Sequence, residues 1–502
     1  MARYKEYGYD IKDGVGIIPE WEMEIKEDAF KWCKELKRID IPQWVTKIGK
    51  YAFSGCENLK DITLPEWLEE IEDSAFSGCS CLEEISLPRW VKKIGNSAFS
   101  DCSNLTSIVV SKENKVYDSR EDCNAIIHTE SNTLIRGCEN TTIPPSVTAI
   151  ESHAFCGCIG LTSISIPPCV KKIGDSAFYD CSVLTSISIP PSVTEIGEGA
   201  FKGCFSLTSI SIPPSVTKIG RWAFYRCSYL TSISIPPLVT EIGEWAFNNC
   251  SSLTSISIPP SVTEIGFHAF HGCSSLTSIS IPPLVTEIGE EAFSGCSSLT
   301  SISIPPSITE IGRCAFWGCS SLTSISIPPS VTEIGDSAFD GCSSLTSIIV
   351  SKDNKVYDSR EDCNAIIHSE SNTLLRGCEN TLIPPSVTEI GDYAFWCCSS
   401  LVSISIPESV TMIGTGTFSG CTSLTSISIP PSVTKIGNYA FNRCSSLTSI
   451  LIPLSVTKIG WCAFENCSSL TSISIPKGCK VEEYVEEYAF SGCPKNLVIT
   501  RY

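Results

Sequence analysis

Cys250-Ser-Ser-Leu-Thr-Ser-Ile-Ser-Ile-Pro-Pro-Ser-Val-Thr-Glu-Ile-Gly-Phe-His-Ala-Phe-His-Gly-Cys273 sets the pattern of the whole chain. The stretch is one 23-residue period, and it returns along almost all of the 502 residues. A period of this size is the signature of a solenoid. An Ala-Phe step closes each period and occurs eighteen times between Ala29-Phe30 and Ala489-Phe490, once as Thr417-Phe418. What repeats is scaffold, so function has to be sought in what varies between copies.

Within the period, Leu253, Ile256 and Ile258 alternate with small polar residues and predict a strand. Pro259-Pro260 ends it, because proline cannot donate to a ladder. Val262 and Ile265 predict a second short extended piece, Gly266 a turn, and Ala269-Phe270 a helical or 3₁₀ turn. Of the 29 cysteines, eighteen stand three residues after the phenylalanine, from Cys33 to Cys493. A column of one residue type at one rung position is a structural part, and cysteine is a small buried apolar residue with a weak S–H donor. Free buried thiols are expected there, in keeping with a reducing compartment without requiring one.

The predicted class is a β-rich α+β repeat solenoid of about 18 rungs with 23-residue periods and two β-hairpin inserts. Residues 1–30 read as an N-terminal cap and first partial rung, 31–110 as divergent rungs, and 144–350 and 384–476 as regular rungs. Residues 477–502 read as a C-terminal cap, since an open-ended core has to be covered. The inserts are 111–143 and 351–383, each lengthening the period by 33 residues. Ala125-Ile-Ile-His128, Thr129-Glu-Ser-Asn132 and Thr133-Leu-Ile-Arg136 predict a hairpin in the first, repeated nearly word for word in the second. Pairing His128 with Thr133 sets Cys123 opposite Cys138, and Cys363 opposite Cys378, at a separation a disulfide spans. Two oxidised bridges are therefore expected as one outcome and free thiols as the other.

The repeating S-L-T-S-I-S-I-P-P-S-V-T-E-I-G-x-x-A-F-x-G-C strongly resembles the BspA-like (bacterial surface antigen A type) leucine-rich repeats, from about Ile17 to about Cys493. The hairpins resemble the insert of that family, where glycine is usual at the place of Cys123. The resemblance implies a leucine-rich-repeat solenoid, a place at the cell surface and binding to host cells or matrix proteins.

A net charge of -19 argues against nucleic acid and anionic membranes as partners. No apolar run is long enough to span a membrane and no secretory signal is visible, so a cytoplasmic place is the alternative to the surface. No nucleophile elbow, P-loop, zinc-protease or dinucleotide motif is present. No enzymatic activity, catalytic residue, cofactor or metal site is expected. His128 lacks the paired cysteines of a structural zinc site. Glu241, Glu264, Glu287, Glu310 and Glu333 share one column, whose repulsion solvent and neighbouring lysines absorb, in preference to a calcium ladder.

Variation concentrates in the two residues after the glycine and the one or two after the phenylalanine. There stand Trp222, Tyr225, Trp245, Phe267, His268, His271 and Trp317, the candidate ligand-binding residues. Aromatic side chains beside arginines are the composition of binding hot spots; packing along adjacent rungs is the other reading. The expected function is that of a monomeric binding or adhesion protein with protein or glycan partners, host matrix among them. An intracellular interaction scaffold is the alternative.

Overall fold

A computed structural model describes residues 3–481 and 486–502. Met1 and Ala2 of the expected N-terminal cap and residues 482–485 of the C-terminal one lie outside the described residues. The chain divides into two compact units, residues 1–261 and 262–502, both built from the same rungs. About 21 turns form the β-solenoid, against eighteen Ala-Phe steps, because Val15–Ile17 and the two hairpins add turns without that step.

Each regular rung holds two short strands, and each strand pairs in parallel with its copy one period on. In the first unit Ile164, Ile187, Ile210, Ile233 and Ile256 lie in one register row. These isoleucines are buried while the flanking serines face solvent, so the period-2 alternation sends every branched side chain inward. In the second unit Ser278–Ser280 pairs with Ser301–Ser303 in the same way, and Glu287–Ile288, Glu310–Ile311 and Glu333–Ile334 form the second ladder. Between the strands the Pro-Pro step is a closed turn, with Val193 N–H donating to Pro190 O at 3.1 Å.

The Ala-Phe segment is closed by i→i−3 bonds, as a 3₁₀ turn would be, but it does not continue as a helix. Ala177, Tyr179 and Cys181 donate to Gly174, Ser176 and Phe178 within the rung. The alternate amides of Ser176, Phe178 and Asp180 donate instead to Glu198, Ala200 and Lys202 of the next rung at 2.8 Å. The switch requires left-handed backbone at two positions per rung, here Ser176 (φ 51°) and Asp180 (φ 53°). Every amide of the turn is thereby used, half inside the rung and half between rungs.

The alanine and phenylalanine columns are buried up to Phe464, with Phe490 half-buried at the end, and the phenyl rings stack: Phe155 to Phe178 at 5.1 Å, Phe293 to Phe316 at 5.5 Å. Tyr4 and Tyr9 each stack on Phe30 with centroids 5.6 Å away, closing the first ring column. The cysteine column is buried except at its two ends, Cys33 and Cys493, which are half-buried. In the regular rungs the Sγ–H faces the carbonyl of the preceding rung's phenylalanine, Cys227 to Phe201 O at 3.2 Å and Cys296 to Phe270 O at 3.3 Å. After the inserts Cys158 and Cys398 face Gly137 O and Gly377 O.

In the first insert Tyr117–Asp118, Ala125–His128 and Thr133–Gly137 form an antiparallel three-stranded piece. Thr133–Gly137 then pairs in parallel with Ala149–Ile150, so the hairpin takes a place in the second-strand ladder. Asn124 ends the first-strand ladder: its Oδ1 accepts from Ile108 N at 2.6 Å and its Nδ2 donates to Thr106 O at 2.8 Å. The expected His128–Thr133 pair is present, but a bulge between Ile126 and Ile127 shifts the register to Ile126–Arg136 and Ala125–Gly137. The opposition of Cys123 to Cys138 on which a bridge was expected is therefore lost, and the same bulge separates Cys363 from Cys378. All four thiols are free: Cys138 Sγ faces Asn124 O at 3.6 Å and Cys123 Sγ faces Ser119 Oγ at 3.7 Å.

Each insert also buries an arginine, Arg136 or Arg376, next to the glycine that takes the phenylalanine's backbone place: Gly137 N–H donates to Ala154 O at 2.9 Å and Gly377 N–H to Ala394 O at 2.9 Å. Arg136 donates to Cys156 O at 2.9 Å and His153 O at 3.3 Å, and Cys156 O also accepts from Asp101 N–H at 3.1 Å. Arg376 does the same for Tyr393 and Trp396 and lies 3.5 Å from Asp340.

Candidate binding surface

The variable residues after Gly and Phe occupy the turn described above, several of them at left-handed positions. Trp222 (φ 53°), Trp245 (φ 58°) and His268 (φ 53°) are among these. In the first unit Trp222, Tyr225 and Trp245 are half-buried and engaged with neighbours. Tyr225 lies 6.4 Å from Trp245, and Lys202 places its ammonium 5.2–5.4 Å from the rings of Tyr179, Trp222 and Tyr225. Arg221 stacks over Trp222 and pairs with Glu244 at 2.7 Å. This is a cation–π cluster whose ring faces are largely taken up by the protein's own cations. In the second unit Phe267 and Trp317 are more open, 48% and 43% exposed, and Trp317 stacks on Trp396. His268 and His271 both turn toward Glu291, and burial holds the His271 imidazole below its usual pKa.

A second row of aromatic residues lies outside the two variable windows. Trp21, Trp44, Trp67 and Trp90 follow one another at 23-residue spacing, each between the proline turn and the next buried Val, Leu or equivalent residue. They are 74%, 63%, 46% and 40% exposed. Trp67 and Trp90 stack at 6.0 Å, and Arg89 covers Trp90. In later rungs this column mostly holds serine, with Cys169, Leu238 and Leu284 as exceptions, and several of the serines work for the fold: Ser192 Oγ donates to Val170 O at 2.6 Å, Ser307 Oγ to Val285 O at 2.7 Å. Tryptophan gives up the bond and places a large apolar ring in water. The signal was present in the sequence as a column, and it is separated from the variable windows by half a rung.

The face of small hydroxyls is uniform for a structural reason. Thr208 Oγ1 donates to Thr185 O at 3.3 Å and Thr323 Oγ1 to Thr300 O at 3.2 Å, a ladder repeated rung after rung. The glutamate column is partly paired, Lys218 with Glu241 at 2.7 Å. Glu310 lies in register between Glu287 and Glu333, and burial together with both carboxylates raises its pKa.

The first insert overhangs a polar groove of about 690 Å³ lined by Lys112, Asp118, Arg120, Glu121, Asp122 and Asn124 among others. Arg120 holds Asp118 in a two-pronged pair at 2.6 and 2.8 Å and reaches Asn132 at 2.8 Å. Burial alone would raise the Asp118 pKa, but the hydrogen bonds from Arg120 bring it below the usual carboxylate value. The Arg120 and Asp118 charges of the groove are thus matched to each other. Among the described residues no helix is long and apolar enough to cross a membrane.

Sequence comparison matches the BspA type leucine-rich repeat region over residues 23–125, 132–254, 240–363 and 372–497. No curated protein matches. Among solved structures, a leucine-rich cell surface protein from Faecalibacterium prausnitzii A2-165 is similar at 32% identity and a TM-score of 0.55, over 77% of this chain and 93% of that one. A leucine-rich repeat protein from Bacteroides ovatus ATCC 8483 is 29% identical with a TM-score of 0.42, over 87% of this chain and 88% of that one.

Proposed function

The chain belongs to the BspA-type leucine-rich-repeat family, and from that premise we propose that it is a non-enzymatic adhesion protein of the cell surface. It acts as a monomer and contacts a protein or glycan partner through the tryptophan row. One observation carries this reading: Trp21, Trp44, Trp67 and Trp90 stand where serine serves the scaffold, and they remain exposed. Burying one such ring contributes about 1.5–3 kcal/mol, and a row of four in one column adds avidity along an extended ligand. In the second unit Phe267 and Trp317, with His268 and His271, form a separate aromatic patch; Trp222 and Tyr225 pack against their own cations, Trp245 packs on Tyr225, and the three contribute rigidity.

The test replaces all four tryptophans by the serine found elsewhere in the column. Binding to immobilised matrix proteins and to a glycan array should fall at least tenfold while the thermal midpoint stays within about 2 °C. Unchanged binding to every partner the wild type recognises would refute the role of the row. The intracellular scaffold is favoured by one observation, the free cysteines among the described residues. Burial makes the fully buried thiols of the column weak acids, Cys250 up to about 12, so these are unreactive in either compartment. Protease shaving of intact cells separates the two: loss of the protein from unpermeabilised cells supports the surface, full protection the interior.

A further inference from the structure

We infer that His268, His271 and Glu291 form a site for a divalent transition metal of the zinc class. The two histidines sit on one tight turn, closed by the bond from His271 N–H to His268 O at 3.1 Å. Glu291 occupies the column of His268 one rung on, 23 residues later. The backbone is left-handed at both His268 (φ 53°) and Glu291 (φ 52°). Nδ1 of His268 lies 3.2 Å, and Nδ1 of His271 3.1 Å, from the same Oε2 of Glu291, and the three side chains converge closely enough to share one ion. Metal–nitrogen and metal–oxygen bonds of about 2.0–2.2 Å in a tetrahedral site put neighbouring ligand atoms about 3.3–3.5 Å apart. Two edges of such a ligand face are therefore already near their length.

Ordinary hydrogen bonding explains the cluster less well. Nδ1 of His271 is buried and within 3.1 Å of the carboxylate, yet it makes no aligned hydrogen bond among the described residues. A cation between the three atoms uses the nitrogen lone pairs directly and leaves a fourth position for water. Two imidazoles and a carboxylate suit zinc and its neighbours better than calcium or magnesium, which take oxygen. The fold does not ask for these residues. Ser176 and Ser337 stand in the column of His268 and Glu291, and Asn248 and Ser294 in that of His271. Two of the chain's five histidines share this one turn.

The experiment titrates the metal-free full chain with Co²⁺, followed by displacement with Zn²⁺ in a calorimeter. One Co²⁺ per chain is expected, with tetrahedral d–d absorption and no thiolate-to-cobalt charge-transfer band. His268→Ser, His271→Ser and Glu291→Ser each copy a residue other rungs carry, so each should melt like the wild type. Each should weaken binding more than about 100-fold, beyond the 10–100-fold typical for outer-shell partners. Proton NMR of the wild type supplies a readout that needs no variant: Zn²⁺ should move the ring resonances of two of the five histidines. Absence of binding, a thiolate band, binding that survives in His271→Ser and Glu291→Ser, or movement of other histidines would each overturn the site. None of these outcomes bears on the tryptophan row.

Discussion

At the scale of single residues the chain depends on small donors placed in columns. Cysteine fits its column because the thiol is small enough for the turn and its S–H meets a carbonyl that would otherwise lack a second donor. Burial raises these thiols, Cys342 to about 12 and Cys398 to about 11, and only the thiolate reacts. A maleimide reagent on the native protein should therefore modify the exposed Cys169 first, with the fully buried members of the column, Cys56 to Cys467, reacting only on unfolding; mass spectrometry of tryptic peptides gives the order. In non-reduced digests Cys123, Cys138, Cys363 and Cys378 should appear unlinked, since the bulge takes each pair out of register. The buried arginines are the opposite case, large and charged. Arg376→Met leaves Asp340 without its cation, and removal of one partner of a buried pair costs about 3–5 kcal/mol. Burial already raises the Asp340 pKa and Arg376 opposes that rise. Without the arginine, folding disfavours the carboxylate more strongly, so the penalty is fully present at pH 7 and shrinks as the pH falls and Asp340 takes up a proton. Urea unfolding at pH 7 and pH 4.5 measures both.

At the scale of elements, ladders of identical residues align like charges as readily as they align isoleucines. Glu310 pairs in register with Glu287 on one side and Glu333 on the other. Its folded pKa is raised, so its contribution to stability is greatest when it is protonated and is lost as pH rises through the folded value. Glu310→Gln should match the wild type at low pH and exceed it at pH 7. The gain there is about 0.5–1 kcal/mol, since unit charges about 5 Å apart in water repel by about 0.8 kcal/mol. Melting midpoints across pH 3.5–7 check both sign and size. The inserts show how an element is fitted into a ladder of another kind: Asn124 imitates a strand with its amide, and Tyr117 Oη accepts the Ile94 N–H that the next rung would have used.

At the scale of the whole molecule, a net charge of -19 acts on every rung. Raising ionic strength from about 0.01 to 0.15 M shortens the screening length from about 30 to 8 Å, so the thermal midpoint should rise with NaCl. Replacing part of the NaCl by millimolar CaCl₂ at constant ionic strength should add nothing; a further rise would show calcium on the glutamate column. The solenoid itself was legible from the 23-residue period, because a repeat that cannot bury its apolar face alone has to stack. The alternation around Ile256, the Pro-Pro stop and the cysteine column could be read for the same reason, each depending only on local geometry repeated at fixed spacing. The hairpin was legible too, as two short β-rich runs about a four-residue turn. Its bulge was not, since a register depends on what Ile126 and Arg136 meet across the strands and not on counting from the turn. The alternating left-handed backbone of the Ala-Phe turn was hidden for a related reason: amides choose between their own rung and the next only when the next rung is present. The sequence alone therefore determined the rung, its stacking and its uniform faces. Tertiary structure decided which rings face water, that Lys202 fills the faces of Tyr179, Trp222 and Tyr225, and that Glu291 lies against His268 and His271. Those are distances between side chains of neighbouring rungs, and no single period contains them.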